Sequence, residues 1–72
     1  MKARAEAAAA TRARILDVAI EQFLERWYDE VTLAGIARAA GVSQQTVVNH
    51  FGGKEALLEQ AVERWGPERH RR

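Results

Sequence analysis

The chain has 72 residues, a formal net charge of +1 and no cysteine. That length holds a single domain with one modest core, and the absence of cysteine excludes a disulfide framework and every thiolate metal site and fits a reducing compartment. No apolar run approaches the roughly 20 residues that cross a bilayer, and Met1 to Ala10 lack the apolar core of a signal peptide, so the expectation is a soluble, cytoplasmic protein without a membrane partner.

Charge is unevenly distributed along the chain. Residues 1–14 hold four basic residues against one acid, and residues 66–72 hold three against one. The stretch between them holds eight acids against four bases. Basic ends therefore flank an acidic body, and local fields matter more than the total in steering a polyanion. The expected organisation is a basic N-terminal arm over 1–13, a folded domain over 14–65 and a basic tail over 66–72.

The composition between the glycines is Ala, Leu, Glu, Arg and Gln, all strong helix formers, and nothing alternates with the period of a strand. The fold class is all-α, a small helical bundle. Leu16, Ala19, Ile20, Phe23, Leu24 and Trp27 follow helical spacing and form one apolar stripe, widened by Ile15 and Val18, with Asp17, Glu21 and Glu25 opposite. Ala7 to Ala10 extend this helix backward with little to bury, so fraying is expected there.

Tyr28 to Val31 break the period, and Thr32 is an N-cap for a second helix from Leu33 to Ala40 with Ile36, Ala37 and Ala40 inward. Gly41 supplies the left-handed residue that ends it, Val42 is an apolar plug, and Ser43 caps a third helix running to Phe51. After Gly52-Gly53 a fourth helix runs from Lys54 to Trp65, with Leu57, Leu58, Ala61, Val62 and Trp65 as its stripe, and Gly66-Pro67 is expected to close the ordered part.

Two short helices joined by Gly41-Val42-Ser43 have the dimensions of a helix-turn-helix. With Val47 and Phe51 packed inward, Gln44, Gln45, Val48 and Asn49 are expected on the opposite face. Side-chain amides bond bidentately to adenine N6 and N7, and Val48 suits a thymine methyl, so these four are the base-reading candidates. Ser43, Thr46, His50 and Lys54 lie around the rim and are the phosphate candidates. Lys54 puts a cation at the positive end of the fourth helix, which argues for a nearby anion to offset it.

From Arg14 to Leu57 the chain resembles the DNA-binding domain of the TetR family of transcriptional regulators. The matching residues are Ile15-Leu16-Asp17-Val18-Ala19, Phe23, Tyr28-Asp29, Thr32, Ile36-Ala37, Ala40-Gly41-Val42-Ser43, Thr46, His50-Phe51 and Lys54-Glu55-Ala56-Leu57, collinear and without a gap. The resemblance implies a recognition helix over 44–51 in the major groove of a double-stranded DNA operator. Ser43, Gln44 and Gln45 match its exposed start, Asn49 a variable position that touches base or phosphate, and Thr32, Thr46, His50 and Lys54 positions that meet the phosphate backbone.

It also implies a C-terminal helical domain, absent here, that binds an effector and forms a homodimer. Two copies would read an inverted repeat with half-sites roughly 34–36 Å apart or a multiple of that. The chain accordingly reads as the N-terminal part of a repressor, with an unusual stand-alone domain as the alternative. Three positions depart from the family pattern: Val48 stands where an aromatic, most often tyrosine, is usual, Gln45 where a small residue is common, and Trp27 where glycine is common.

Catalysis has little support. His50 and His70 with no cysteine make no metal-ligand cluster, no nucleophile is paired with a base and an orienting group, and Gly52-Gly53 follows a helix rather than a strand, unlike a phosphate cradle. The expectation is no enzyme and no cofactor. The rival reading is a small helical protein-interaction module without DNA binding, docking a partner through Leu58 and Trp65.

Overall fold

The structure, a computed structural model, describes the backbone of residues 2–70 and the side chains of residues 6–64. Four helices follow in order: α1 (Lys2–Glu25), α2 (Leu33–Ala40), α3 (Gln44–Phe51) and α4 (Lys54–His70), with a single 3-10 turn at Tyr28–Glu30 between α1 and α2. The all-α expectation holds, and both short helices have the bounds that their caps imply.

The core is built from Ile15, Leu16 and Ala19 of α1, Ile36, Ala37 and Ala40 of α2, Val47 of α3, and Leu57 and Ala61 of α4, with Val31 between α1 and α2. The helical stripes read from the sequence supply all of these except Val31, which lies in the segment where the period breaks. Alanines at 19, 37, 40 and 61 let the backbones approach closely, because a methyl group is all that separates them. A Cβ added at Gly35 would stand 3.1 Å from Thr32 Oγ1, which adds a second close approach at the start of α2.

The left-handed turn behaves as its glycine requires. Gly41 has φ 77° and ψ 30°, and its N–H and that of Val42 return to carbonyls in the last turn of α2. This αL residue ends α2 and turns the chain into α3 within three residues. Arg14 adds a clamp across the turn, its Nε donating to the Ala40 carbonyl at 2.8 Å, so a cation from α1 sits at the negative end of α2.

Two expectations are corrected. Trp27 does not continue the α1 stripe. The helix ends at Glu25, Trp27 is extended at φ −66° and ψ 147°, and its side chain is 79% exposed. Leu24, at the edge of the stripe, is 59% exposed. At the N-terminus, the helix begins at Lys2 and runs through Ala7 to Ala10, the backward extension that its alanines imply. At the other end, α4 passes through Gly66-Pro67 to His70. The side chains of Lys2, Arg4, Trp65, Arg69, Arg71 and Arg72 lie outside the described residues.

Candidate nucleic-acid interface

Each of the two N-caps closes its own helix start. Thr32 Oγ1 accepts from the Gly35 N–H at 2.9 Å. Ser43 Oγ accepts from the Thr46 N–H at 3.1 Å and lies 2.8 Å from Thr46 Oγ1. The Ser43–Thr46 pair shares one hydroxyl proton, which leaves the other free to point away from the protein. These side chains sit where unpaired N–H groups gather at a helix start, a natural place for phosphate oxygens.

The outward face of α3 carries amides. Gln44, Gln45 and Asn49 are exposed, and Gln45 Nε2 donates to Asn49 Oδ1 at 3.0 Å. That bond leaves Gln45 Oε1 and the second Nε2 hydrogen open, an acceptor and a donor side by side. It is the complement of the N6 donor and N7 acceptor on adenine. Val48 and His50 are half-buried and flank this face, and His50 lies against Phe51 with ring centroids 6.4 Å apart. Val47 is fully buried, so the base of α3 is held in the core while its amide face stays in solvent.

The surroundings of Lys54 differ from those expected of a solvated phosphate ligand. Its Nζ donates to the carbonyls of Tyr28 and Val31, each at 2.8 Å, and lies 4.2 Å from the centroid of the Tyr28 ring. The cation is met by two neutral backbone carbonyls of the 3-10 turn and its C-cap rather than by the anion expected beside it. Tyr28 in turn stacks on Phe23 at 5.9 Å with an interplanar angle of 14°. Burial, helped by the Glu55 and Asp29 carboxylates, pushes the Tyr28 phenol above its ordinary 10.0.

Sequence reasoning passed over two arginines of α1. Arg12 lies over the Phe51 ring at 4.6 Å and reaches Gln60 Oε1 at 3.4 Å, and Arg14 holds the α2 carbonyl end. Both count toward the basic stretch over residues 1–14, which by itself gives neither a packing role. The available clue was Arg14 directly before Ile15-Leu16, at the edge of the buried stripe. Among the described residues, no group of three His, Cys, Asp or Glu side chains is placed to hold a metal ion, and no helix is long and apolar enough to cross a membrane.

A four-helix domain that holds one short helix in its core by an inner apolar edge, and offers a row of amides on the outer edge, is a helix-turn-helix of the DNA-binding regulatory class. The comparisons with known proteins agree. The family of bacterial regulatory proteins named tetR matches residues 15–61, more than half of the chain, and the chain belongs to that family.

Among curated relatives, the chain is similar to the HTH-type transcriptional regulator AlkX of Mycobacterium tuberculosis, 41% identical over 48 residues covering 67% of this chain and 23% of that protein. It is similar to the HTH-type transcriptional regulator SrpR of Pseudomonas putida, 46% identical over 49 residues covering 68% and 23%. It is also similar to IcaR of Staphylococcus aureus, named as a negative transcriptional regulator of the biofilm operon icaADBC, 37% identical over 49 residues covering 68% and 26%. The chain spans about a quarter of the length of these relatives. No solved structure matches it significantly.

Proposed function

We propose that this chain is the operator-reading domain of a cytoplasmic repressor, with α3 lying in the major groove of double-stranded DNA. The observation that carries the reading is the outward amide face of α3, where the Gln45–Asn49 bond orients Gln45 with one acceptor and one donor free. Gln44, Gln45, Val48 and Asn49 meet base edges. Thr32, Ser43, Thr46 and His50 meet phosphates on either side. A homodimer formed through a further domain would place two α3 helices on an inverted repeat, and effector binding in that domain would alter their separation. The role is binding, with no reaction assigned to any residue.

The test is retention of the chain on a randomised duplex pool over a salt series, followed by sequencing of what is held. The expected result is enrichment of a short motif together with a steep fall of affinity with salt. Absence of binding even at low salt would overturn the reading.

One observation favours the rival interaction module. Ile20, Phe23, Leu24, Leu58, Ala61 and Val62 line an apolar groove of ≈ 170 Å³ between α1 and α4, with Val62 56% exposed. Under that reading, Leu24→Ser and Val62→Ser abolish partner binding while substitutions at Gln44, Gln45 and Asn49 leave it intact.

A further inference from the structure

We infer that Lys54 is a positioning residue, whose ammonium ties the start of α4 to the turn leading into α2 and so sets the spacing of the two helix N-termini that flank α3. The inference rests on the DNA-reading role proposed above for what that spacing serves.

Three observations meet at this residue. Lys54 is the first residue of α4, directly after Gly52-Gly53. Gly52, at φ 104°, donates to the Val48 carbonyl at 2.7 Å, and the Gly53 carbonyl accepts the Leu57 N–H at 3.0 Å, so the link from α3 is held by backbone bonds alone, with no side chain reaching the rest of the fold. The Lys54 side chain supplies a restraint from the other direction. Its two 2.8 Å bonds end on the carbonyls of Tyr28 and Val31. Val31 is fully buried and immediately precedes Thr32, the N-cap of α2.

Charge logic points the same way. A lysine in the first turn of a helix faces the positive end of that helix, which by itself is unfavourable. Here the long stem carries the charge to the carbonyl end of the 3-10 turn, where a cation is favoured. The turn is closed by two backbone bonds, Glu30 N–H to the Trp27 carbonyl at 2.9 Å and Val31 N–H to the Tyr28 carbonyl at 3.2 Å, and the lysine adds two side-chain bonds at its end. The Tyr28 ring, stacked on Phe23, covers the ammonium and ties the same point to α1. One side chain therefore links α1, the entry to α2 and the start of α4.

A phosphate ligand and a positioning residue differ in two measurable ways. The effect of the first appears only with DNA and as a loss of salt dependence; that of the second appears in the free protein. The experiment uses the whole 72-residue chain and Lys54→Met, which keeps the stem and removes the charge. The expected result is a melting midpoint lowered by more than about 4 °C. Binding to the selected duplex weakens at every salt concentration while the slope of log K against log salt stays unchanged. A variant that melts with the wild type and flattens that slope by about one would overturn the inference and make Lys54 a phosphate ligand.

Nitrogen NMR of the wild-type chain without DNA provides a reading that needs no variant to fold. Lys2 is the only other lysine, so the two ammonium signals are readily told apart. A slowly exchanging Lys54 ammonium supports the inference, and one that exchanges as fast as a solvated lysine overturns it. A wild-type chain that binds no duplex sinks the DNA reading, and the melting and ammonium measurements still decide the role of Lys54.

Discussion

Gln45 carries two jobs on one amide. Its bond to Asn49 is an i, i+4 pair on a helix surface, worth roughly 0.2–0.5 kcal/mol to the free helix. The same bond holds the amide plane in a reading orientation. Gln45→Ala is therefore expected to cost about 1–3 kcal/mol on the selected duplex and little on a scrambled one, as measured by titration of both. Equal losses on the two would place Gln45 outside base reading. Ser43 is the contrasting case, since its hydroxyl closes α3 whether DNA is present or not. Ser43→Ala should lower stability by about 1 kcal/mol in urea unfolding of the free chain. Tyr28 adds a pH dependence. Because folding raises its pKa above 10.0, its contribution is complete below pH 10.0 and is lost as pH rises through the higher folded value. Tyr28→Phe is expected to remove that alkaline loss from a melting series taken above pH 10.

At the scale of elements, the turn between α2 and α3 decides whether the amide face is presented at all. Gly41 holds a left-handed conformation, and a Cβ placed there meets nothing within 4 Å. The cost of Gly41→Ala is therefore backbone strain without a steric clash, about 1–2 kcal/mol, read as a lower urea midpoint at unchanged slope. A smaller cost is expected for Gly41→Asn, because asparagine tolerates this region better. The α2–α3 pair is also braced from outside by Arg14 at the Ala40 carbonyl and by Arg12 over Phe51. Arg12 and Arg14, near the middle of α1, are thus part of what holds the helix-turn-helix together.

The molecule as a whole is thin, with extents of 39 × 28 × 17 Å. Such a shape leaves room for one layer of buried side chains, and four of the ten buried apolar residues among those described are alanines. Little apolar area is available per residue, so the larger side chains matter disproportionately. Leu57→Ala, which empties a fully buried site on α4, is expected to cost about 2–5 kcal/mol against a total stability of roughly 4–11 kcal/mol for a chain of this length. The measurement is the thermal loss of helical circular dichroism, and a midpoint within a degree of wild type would show that α4 contributes little to the core. At the same scale, the groove of Ile20, Phe23, Leu24, Leu58, Ala61 and Val62 is an apolar face that the helices leave open.

The sequence by itself determined the helices, their caps and the face of α3 that points outward. Those properties depend on spacing within a few residues: the apolar period sets which side is buried, a threonine or serine with a free acceptor starts a helix, and glycine at 41 ends one. It also sufficed for the family, because the collinear set from Ile15 to Leu57 lies within one continuous segment. Only the tertiary structure decided where long side chains go. Lys54 reads as an exposed cation at a helix start, yet its stem reaches carbonyls more than twenty residues away in sequence. Val31 lies outside every period and is fully buried, while Trp27 lies on the period and is exposed. Periodicity describes a residue's direction only while its helix lasts, and α1 ends at Glu25, ahead of a 3-10 turn whose Tyr28 packs against Phe23 and Lys54. Those are contacts between distant parts of the chain, and no local spacing encodes them.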